Sequence, residues 1–330
     1  MIRIRHGSSR EQAHAFFDMC RKQVKAAGLD PAETFFVFPF GGFGEFTYIC
    51  SLLSEMRKEA KVALFLPENK IDFLEIFPKS ADFFVRYSPQ FTSYIPELFL
   101  QGMRKPGYPF VPFTDFLGDG RFNVELVAKE GRLTLKEGYA YMMGLPLETI
   151  GSAASVPDCA LPIEIDTDAP EKRILIIPHA NSHKPFGAST WENLTQRFNK
   201  LNYSVFFETT SYRQELPIGV NSISLSPKQL LKSLSLFDGV VTIRSGLADL
   251  MGSLPENQRC KLAIMYHITA NPLSEEQRFN HTSGVASKGL ALSRIYHDDI
   301  SLRDFEINGD KLEPLDVDKV VNYLVGQQSS

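Results

Sequence analysis

Cysteine, tryptophan and long apolar runs are all scarce in this 330-residue chain, and each scarcity excludes something. The four cysteines, Cys20, Cys50, Cys159 and Cys260, lie far apart with no C-x-x-C spacing. That excludes a cysteine-built zinc or redox site and a disulfide scaffold, and suits free thiols in a reducing compartment. No apolar stretch approaches the length of about 18 residues that a membrane-spanning helix needs. The opening MIRIRHGSSREQAHAFF is basic but has no apolar core of a signal peptide. A cytoplasmic location is the expectation. An excess of positive charge is also missing: 35 Lys and Arg stand against 39 Asp and Glu, a formal net charge of −4. Nothing marks a broad nucleic-acid surface, and no nucleic-acid partner is expected.

What is present is a repeated pattern on a chain too long for one ordinary core, so two domains are expected. Residues 10–28 carry apolar side chains at helical spacing and end at Gly28. TFFVFPF (34–40) reads as a buried strand that runs into the turn Gly41-Gly42-Phe43-Gly44. A helix over 45–60, a strand KVALFLP (61–67), a short helix around 70–77 and a strand ADFFVRY (81–87) follow. Strand, turn, helix, strand in this order is a βαβ unit and predicts a parallel sheet. Residues 88–135 mix Pro, Gly and aromatics and read as a loop, 136–148 as a closing helix, and 151–172 as a linker.

The second half restarts the pattern. Strands are expected at 173–179, 203–210, 239–243 and 261–267, with helices at 189–201, 226–237 and 245–254 between them. This divides the chain into 1–150, a linker 151–172, and 173–315. A last helix within 316–330 is placed back against the first half.

Open α/β sheets bind ligands beyond the carboxyl ends of their strands, which selects four loops. In GGFGEF, Gly42 and Gly44 allow close approach, and Glu45 falls in the first turn of a helix. There a carboxylate either takes a proton as a general base or merely caps its helix. As a dinucleotide fingerprint the motif fails, because Thr47 stands where the third glycine belongs. In IRSGLADL (243–250), Ser245, Gly246 and the following helix start suit an anion, with Arg244 as a phosphate ligand or as partner of an acid. Asp249 faces a ligand hydroxyl or solvent. The loop PHANSHKPFGAST (178–190) gathers His179, Asn181, Ser182, His183 and Lys184, the lysine a point charge for a phosphate. The two histidines have no third ligand at metal-site spacing, so no metal is expected. Thr209, Thr210, Ser211 and Glu215 end one further strand, and His267 to Thr269 another, as candidate nucleotide contacts. Trp191 reads as the core anchor of its helix.

With these motifs in order, the chain resembles the GT-B glycosyltransferases of the heptosyltransferase group (glycosyltransferase family 9). The family's strand, G-x-x-G-D turn and helix compare with FPFGGFGEF, where Glu45 takes the place of the Asp. Its interdomain segment compares with YMMGLPLE and CALPIEI, and its second half with ILIIPHANSHKPFGASTWENL and SPKQLLKSLSLFDGVVTIRSGLADLM. The chain departs at Arg244, where the family has an acid, near Asp249, where it has a histidine, and at Thr209-Thr210, where it has two glycines. Those changes fall on the donor side, so the donor sugar is left open.

The resemblance implies two Rossmann-like domains facing across a cleft, and an inverting, metal-independent transfer in bacterial surface polysaccharide synthesis. The sugar comes from a nucleotide-diphosphate sugar and goes to a glycan or lipid-linked acceptor. No cofactor is implied, and peripheral contact with the inner membrane face is. Carried over residue by residue, Glu45 is the base. Lys184, Arg244, Ser245, Gly246, Asn181 and Ser182 hold the diphosphate. Thr209, Glu215, His267 and Thr269 border the nucleotide, and Gly42 and Gly44 form the acceptor-side turn. The rival readings are an NAD-type oxidoreductase and a catalytically silent sugar-nucleotide-binding protein.

Overall fold

The computed structural model describes residues 10–95, 97–98, 103–112, 133–162, 172–180, 186–210, 212, 215–268, 291–296, 299–308 and 312–326. The chain divides into two compact units, one ending at Ser155 and one starting at Val156, with 129–134 counted with the second.

The first unit holds a parallel sheet ordered β3-β2-β1-β4, from Phe83–Tyr87, Lys61–Pro67, Thr34–Val37 and Pro109–Phe110. β1 is buried along its whole length, as a central parallel strand with both faces covered must be. Helix Arg10–Ala26 buries Ala13, Phe16, Phe17, Cys20 and Val24, the face that its spacing predicts. Phe16 and Phe17 pack on Phe38 and Phe36, and Phe38 stacks on Phe65 at 4.6 Å between ring centroids. Helix Phe43–Met56 makes the crossover from β1 to β2.

β1 stops at Val37, short of the expected Phe40, because Pro39 has no N–H for the ladder. Only Phe38 continues the pairing, donating its N–H to Phe110 O at 2.9 Å. The two-residue β4 was hidden in the stretch read as loop. The helix expected at 70–77 shrinks to Phe73–Ile76 behind a single 3₁₀ turn, Glu68–Lys70, and the closing helix spans Leu135–Met142.

The start of the expected linker is fastened to this unit. Ser152 and Ser155 donate their N–H groups to Ser51 O and Ile76 O, both at 2.7 Å. Gly151 sits at φ +70°, where a Cβ would lie 2.6 Å from Ser51 O. Glycine is required on both counts.

The second unit carries a parallel sheet ordered β10-β9-β8-β5-β6-β7, from Leu302–Asn308, Lys261–Ile268, Gly239–Ile243, Arg173–Ile177, Ser204–Glu208 and Asn221–Ile223. Ile174 to Ile177 are wholly buried, each side chain worth roughly 1.5–3 kcal/mol of transfer free energy. The chain runs outward from β5 to β6 and β7, then returns to β8 on the other side and runs to β9 and β10. The direction of winding therefore reverses between β5 and β8. That is the topological switch point, where open α/β sheets bind ligands.

Trp191 is fully buried with Phe186 and Phe207 set edge-on to it, the core anchor expected. The last helix runs over Pro314–Val325. It packs on β8, β9 and helix Ala188–Lys200 of its own unit, burying Val317, Val320, Val321 and Leu324 in that core.

Candidate functional site

In the first unit the candidate site lies beyond the carboxyl end of β1. Gly41, at φ +123°, turns the chain, and Gly42 is the N-cap of helix Phe43–Met56. Glu45 folds back over the turn, its Oε2 accepting the N–H of Gly42 at 2.9 Å. A Cβ on Gly41 would lie 2.8 Å from Glu45 Cγ, and one on Gly42 would lie 3.1 Å from Oε2. The glycines thus make room for this carboxylate. Gly44 is buried inside the first helical turn. Glu45 is a helix cap in this arrangement, and it remains half-buried at the strand end where a base would work.

Lys70, which the sequence did not single out, completes this corner from the turn after β2. Its Nζ lies 3.3 Å from the centroid of the Phe43 ring and 5.6 Å from that of Phe46. Burial pushes its pKa down to about 8, against the opposing pull of Glu45.

In the second unit the carboxyl ends of β5, β6 and β8 supply the polar groups. Arg244 follows β8 and is buried. Its Nη2 lies 2.7 Å from Asp249 Oδ1, and its Nη1 donates to Ser245 O at 3.1 Å. Of the two roles open to Arg244, the structure shows an acid partner, and Asp249 is an ion-pair partner rather than a solvated residue. Ser245 caps helix Gly246–Gly252, its Oγ accepting the N–H of Ala248 at 3.3 Å.

Thr209 is tied to β7: its N–H and its hydroxyl both donate to Ile223 O. Glu215 is exposed, with its backbone O 3.5 Å from the Tyr212 hydroxyl. His267 lies on β9 and only its backbone is described. Asn181, Ser182, Lys184 and Thr269 lie outside the described residues.

Two groups at these strand ends carry more than the sequence suggested. Glu208, the last residue of β6, is 3% exposed. Its Oε1 accepts the N–H of Thr210 at 3.0 Å and the Thr210 hydroxyl. Its Oε2 faces His179 Nδ1 at 3.4 Å, with neither atom in a hydrogen bond. Burial lowers the proton affinity of His179, while the Glu208 charge raises it. The available signal for Glu208 was an acid closing an apolar strand, YSVFFE. Among the described residues no group of three or more His, Cys, Asp or Glu is placed to hold a metal ion, and no helix is long and apolar enough to cross a membrane.

No protein-family model and no curated protein matches the chain. Solved structures do. It is similar to the Escherichia coli ADP-heptose LPS heptosyltransferase II at 14% identity, over 89% of this chain and 99% of that one, with a TM-score of 0.55. It is similar to E. coli heptosyltransferase WaaC with ADP at 11% identity, over 89% and 99%, with a TM-score of 0.51. The iron-containing dodecameric glycosyltransferase TibC from enterotoxigenic E. coli aligns at 12% identity with a TM-score of 0.47; this chain spans only 58% of its length. The chain thus has the GT-B fold of these two heptosyltransferase structures, built from two parallel α/β units.

Proposed function

We propose that the chain is an inverting glycosyltransferase that takes a sugar from a nucleoside-diphosphate sugar. The observation that carries the reading is the placement of Glu45. A carboxylate stands at the carboxyl end of the central strand β1, over a turn whose glycines clear space for it. The donor is assigned to the second unit, at the switch point between β5 and β8. A glycan or lipid-linked acceptor of surface polysaccharide, met at the cytoplasmic membrane face, is assigned to the first.

In this reading the Glu45 carboxylate accepts the proton of an acceptor hydroxyl. The hydroxyl oxygen bonds to the anomeric carbon as the bond from that carbon to the diphosphate oxygen breaks, inverting the centre. The nucleoside diphosphate leaves with the bonding pair. Its charge falls to Lys184 and to the N–H groups around Ser245 and Gly246, so no metal is needed.

A second reading, a nucleotide-binding protein without transfer, is favoured by one observation: Asp249 already neutralises Arg244. A thermal-shift panel of ADP, UDP, GDP and TDP with their sugars, followed by donor turnover, separates the two. Stabilisation with slow donor hydrolysis supports the transferase; stabilisation without turnover supports the binder. No response to any nucleotide overturns both.

A further inference from the structure

Glu208 and His179 present an unusual arrangement: a buried carboxylate oxygen and a buried ring nitrogen face each other across 3.4 Å, both without a hydrogen bond. Glu208 cannot turn away, because its other oxygen is held by Thr210. An unsatisfied buried pair of this kind is costly. The least demanding resolution puts a proton on Nδ1, which then donates to Oε2. A carboxylate set behind an imidazole in this way fixes its ring plane and tautomer and raises the basicity of the other nitrogen. That nitrogen, Nε2, belongs to a ring at the carboxyl end of β5, beside the switch point. Extending the β5–β8 register beyond Ile177 and Thr242 brings His179 level with Arg244. Arg244 at that level is already paired with Asp249, so its charge is matched within the protein.

We propose that His179 is a diphosphate-binding residue and that Glu208 is its positioning residue. The inference rests on the donor site assigned above. When a diphosphate oxygen lies against Nε2, the ring takes a proton from solvent, and Nε2–H donates to the anion while Nδ1–H donates to Glu208. One positive charge is then bracketed by two negative ones, and Glu208 acts on the ligand only through the ring.

The test uses the full chain with inorganic pyrophosphate as probe, and with ADP and UDP to separate a free anion from a nucleotide. Nitrogen chemical shifts of His179 report its state. In the wild type the ring is expected as the Nδ1–H tautomer, and pyrophosphate is expected to move both nitrogens to imidazolium values. His179→Ala should weaken pyrophosphate binding about tenfold or more, the scale of a charge-assisted hydrogen bond. Glu208→Gln turns an amide toward Nδ1, so it should switch the ring to the Nε2–H tautomer and weaken pyrophosphate while leaving the Trp191 emission unchanged.

If nucleotides and pyrophosphate bind but the His179 shifts stay still, or if His179→Ala binds as the wild type does, the inference is wrong and the donor site stands. If the wild-type chain binds none of the three, the donor-site reading falls and takes this one with it. Tighter binding of ADP or UDP than of pyrophosphate marks a nucleotide as the natural ligand; equal binding marks an anion site, and both keep His179 in its role.

Discussion

Arg244 and Asp249 form a buried ion pair across the first turn of helix Gly246–Gly252, Nη2 to Oδ1 2.7 Å, with side-chain exposures of 7% and 5%. The Tyr296 hydroxyl donates to the backbone O of Asp249 at 2.9 Å. Removing one partner of such a pair leaves a charge buried and uncompensated. Asp249→Ala should destabilise the second unit by about 3–5 kcal/mol, measured by urea unfolding. Arg244→Met with Asp249→Leu should cost much less than either single change. If the single changes are mild, the pair is more hydrated than its geometry indicates.

Gly41 has the second strict requirement. Alanine at φ +123° is strained, and its Cβ would press on Glu45 Cγ at 2.8 Å. Gly41→Ala should lower stability by more than about 1 kcal/mol. It should lower turnover too, since Glu45 must move, and kinetics with saturating donor check this.

Glu45→Gln keeps an oxygen for the Gly42 N–H but cannot take a proton. Turnover should fall about 10²-fold with nucleotide affinity unchanged. Equal turnover in the variant would leave Glu45 as a helix cap alone.

Lys70 titrates in a measurable window. Its pKa is pushed down from 10.5 to about 8 by burial. Between these values the unfolded chain holds a proton that the folded chain has lost. The penalty is full below about 8 and is relieved as pH rises to about 10.5, so Lys70 makes stability increase with pH there. The buried thiols pull the other way above pH 9, so the check is a comparison: between pH 7.5 and pH 10 the urea midpoint of the wild type should rise relative to that of Lys70→Met, in which the thiol contribution is the same. Glu45→Gln should lower the Lys70 pKa further, because the carboxylate now supports its charge.

The thiols separate by burial. Cys20 and Cys260 are pushed up to about 12, and Cys50 higher still, by burial. In the native chain a disulfide reagent should modify Cys159 first, and the buried Cys20 and Cys50 should react only on unfolding.

The sequence made the two parallel sheets legible because buried parallel strands are apolar on both faces: RILII and GVVTI announce themselves. It hid Pro109–Phe110 and Asn221–Ile223, which are too short to show any period, and Leu302–Asn308, an edge strand that alternates with polar residues. The site was legible where a motif fixes the backbone, as at Gly41 to Glu45. Pairings between distant segments were not. Nothing in a linear reading sets His179 against Glu208, or Lys70 against Phe43, because the sheet register and the crossover create those neighbours. Arg244 and Asp249 are close in sequence, yet their pairing depends on a helix start that turns the aspartate inward.

The central position of β5 also dictates an order of events during synthesis. The strand that leads the second unit in sequence is paired on both sides in the finished sheet, and its partner β8 aligns Gly239 with Ile174. A nascent chain therefore holds one edge of RILII open while about 65 further residues emerge, a long-range closure that slows folding. Asp238 caps that closure by accepting the N–H of Arg173 at 2.7 Å. Until then the β5 edge is a sticky apolar template, and the interval before β8 arrives is when this chain is most exposed to mispairing with its own copies.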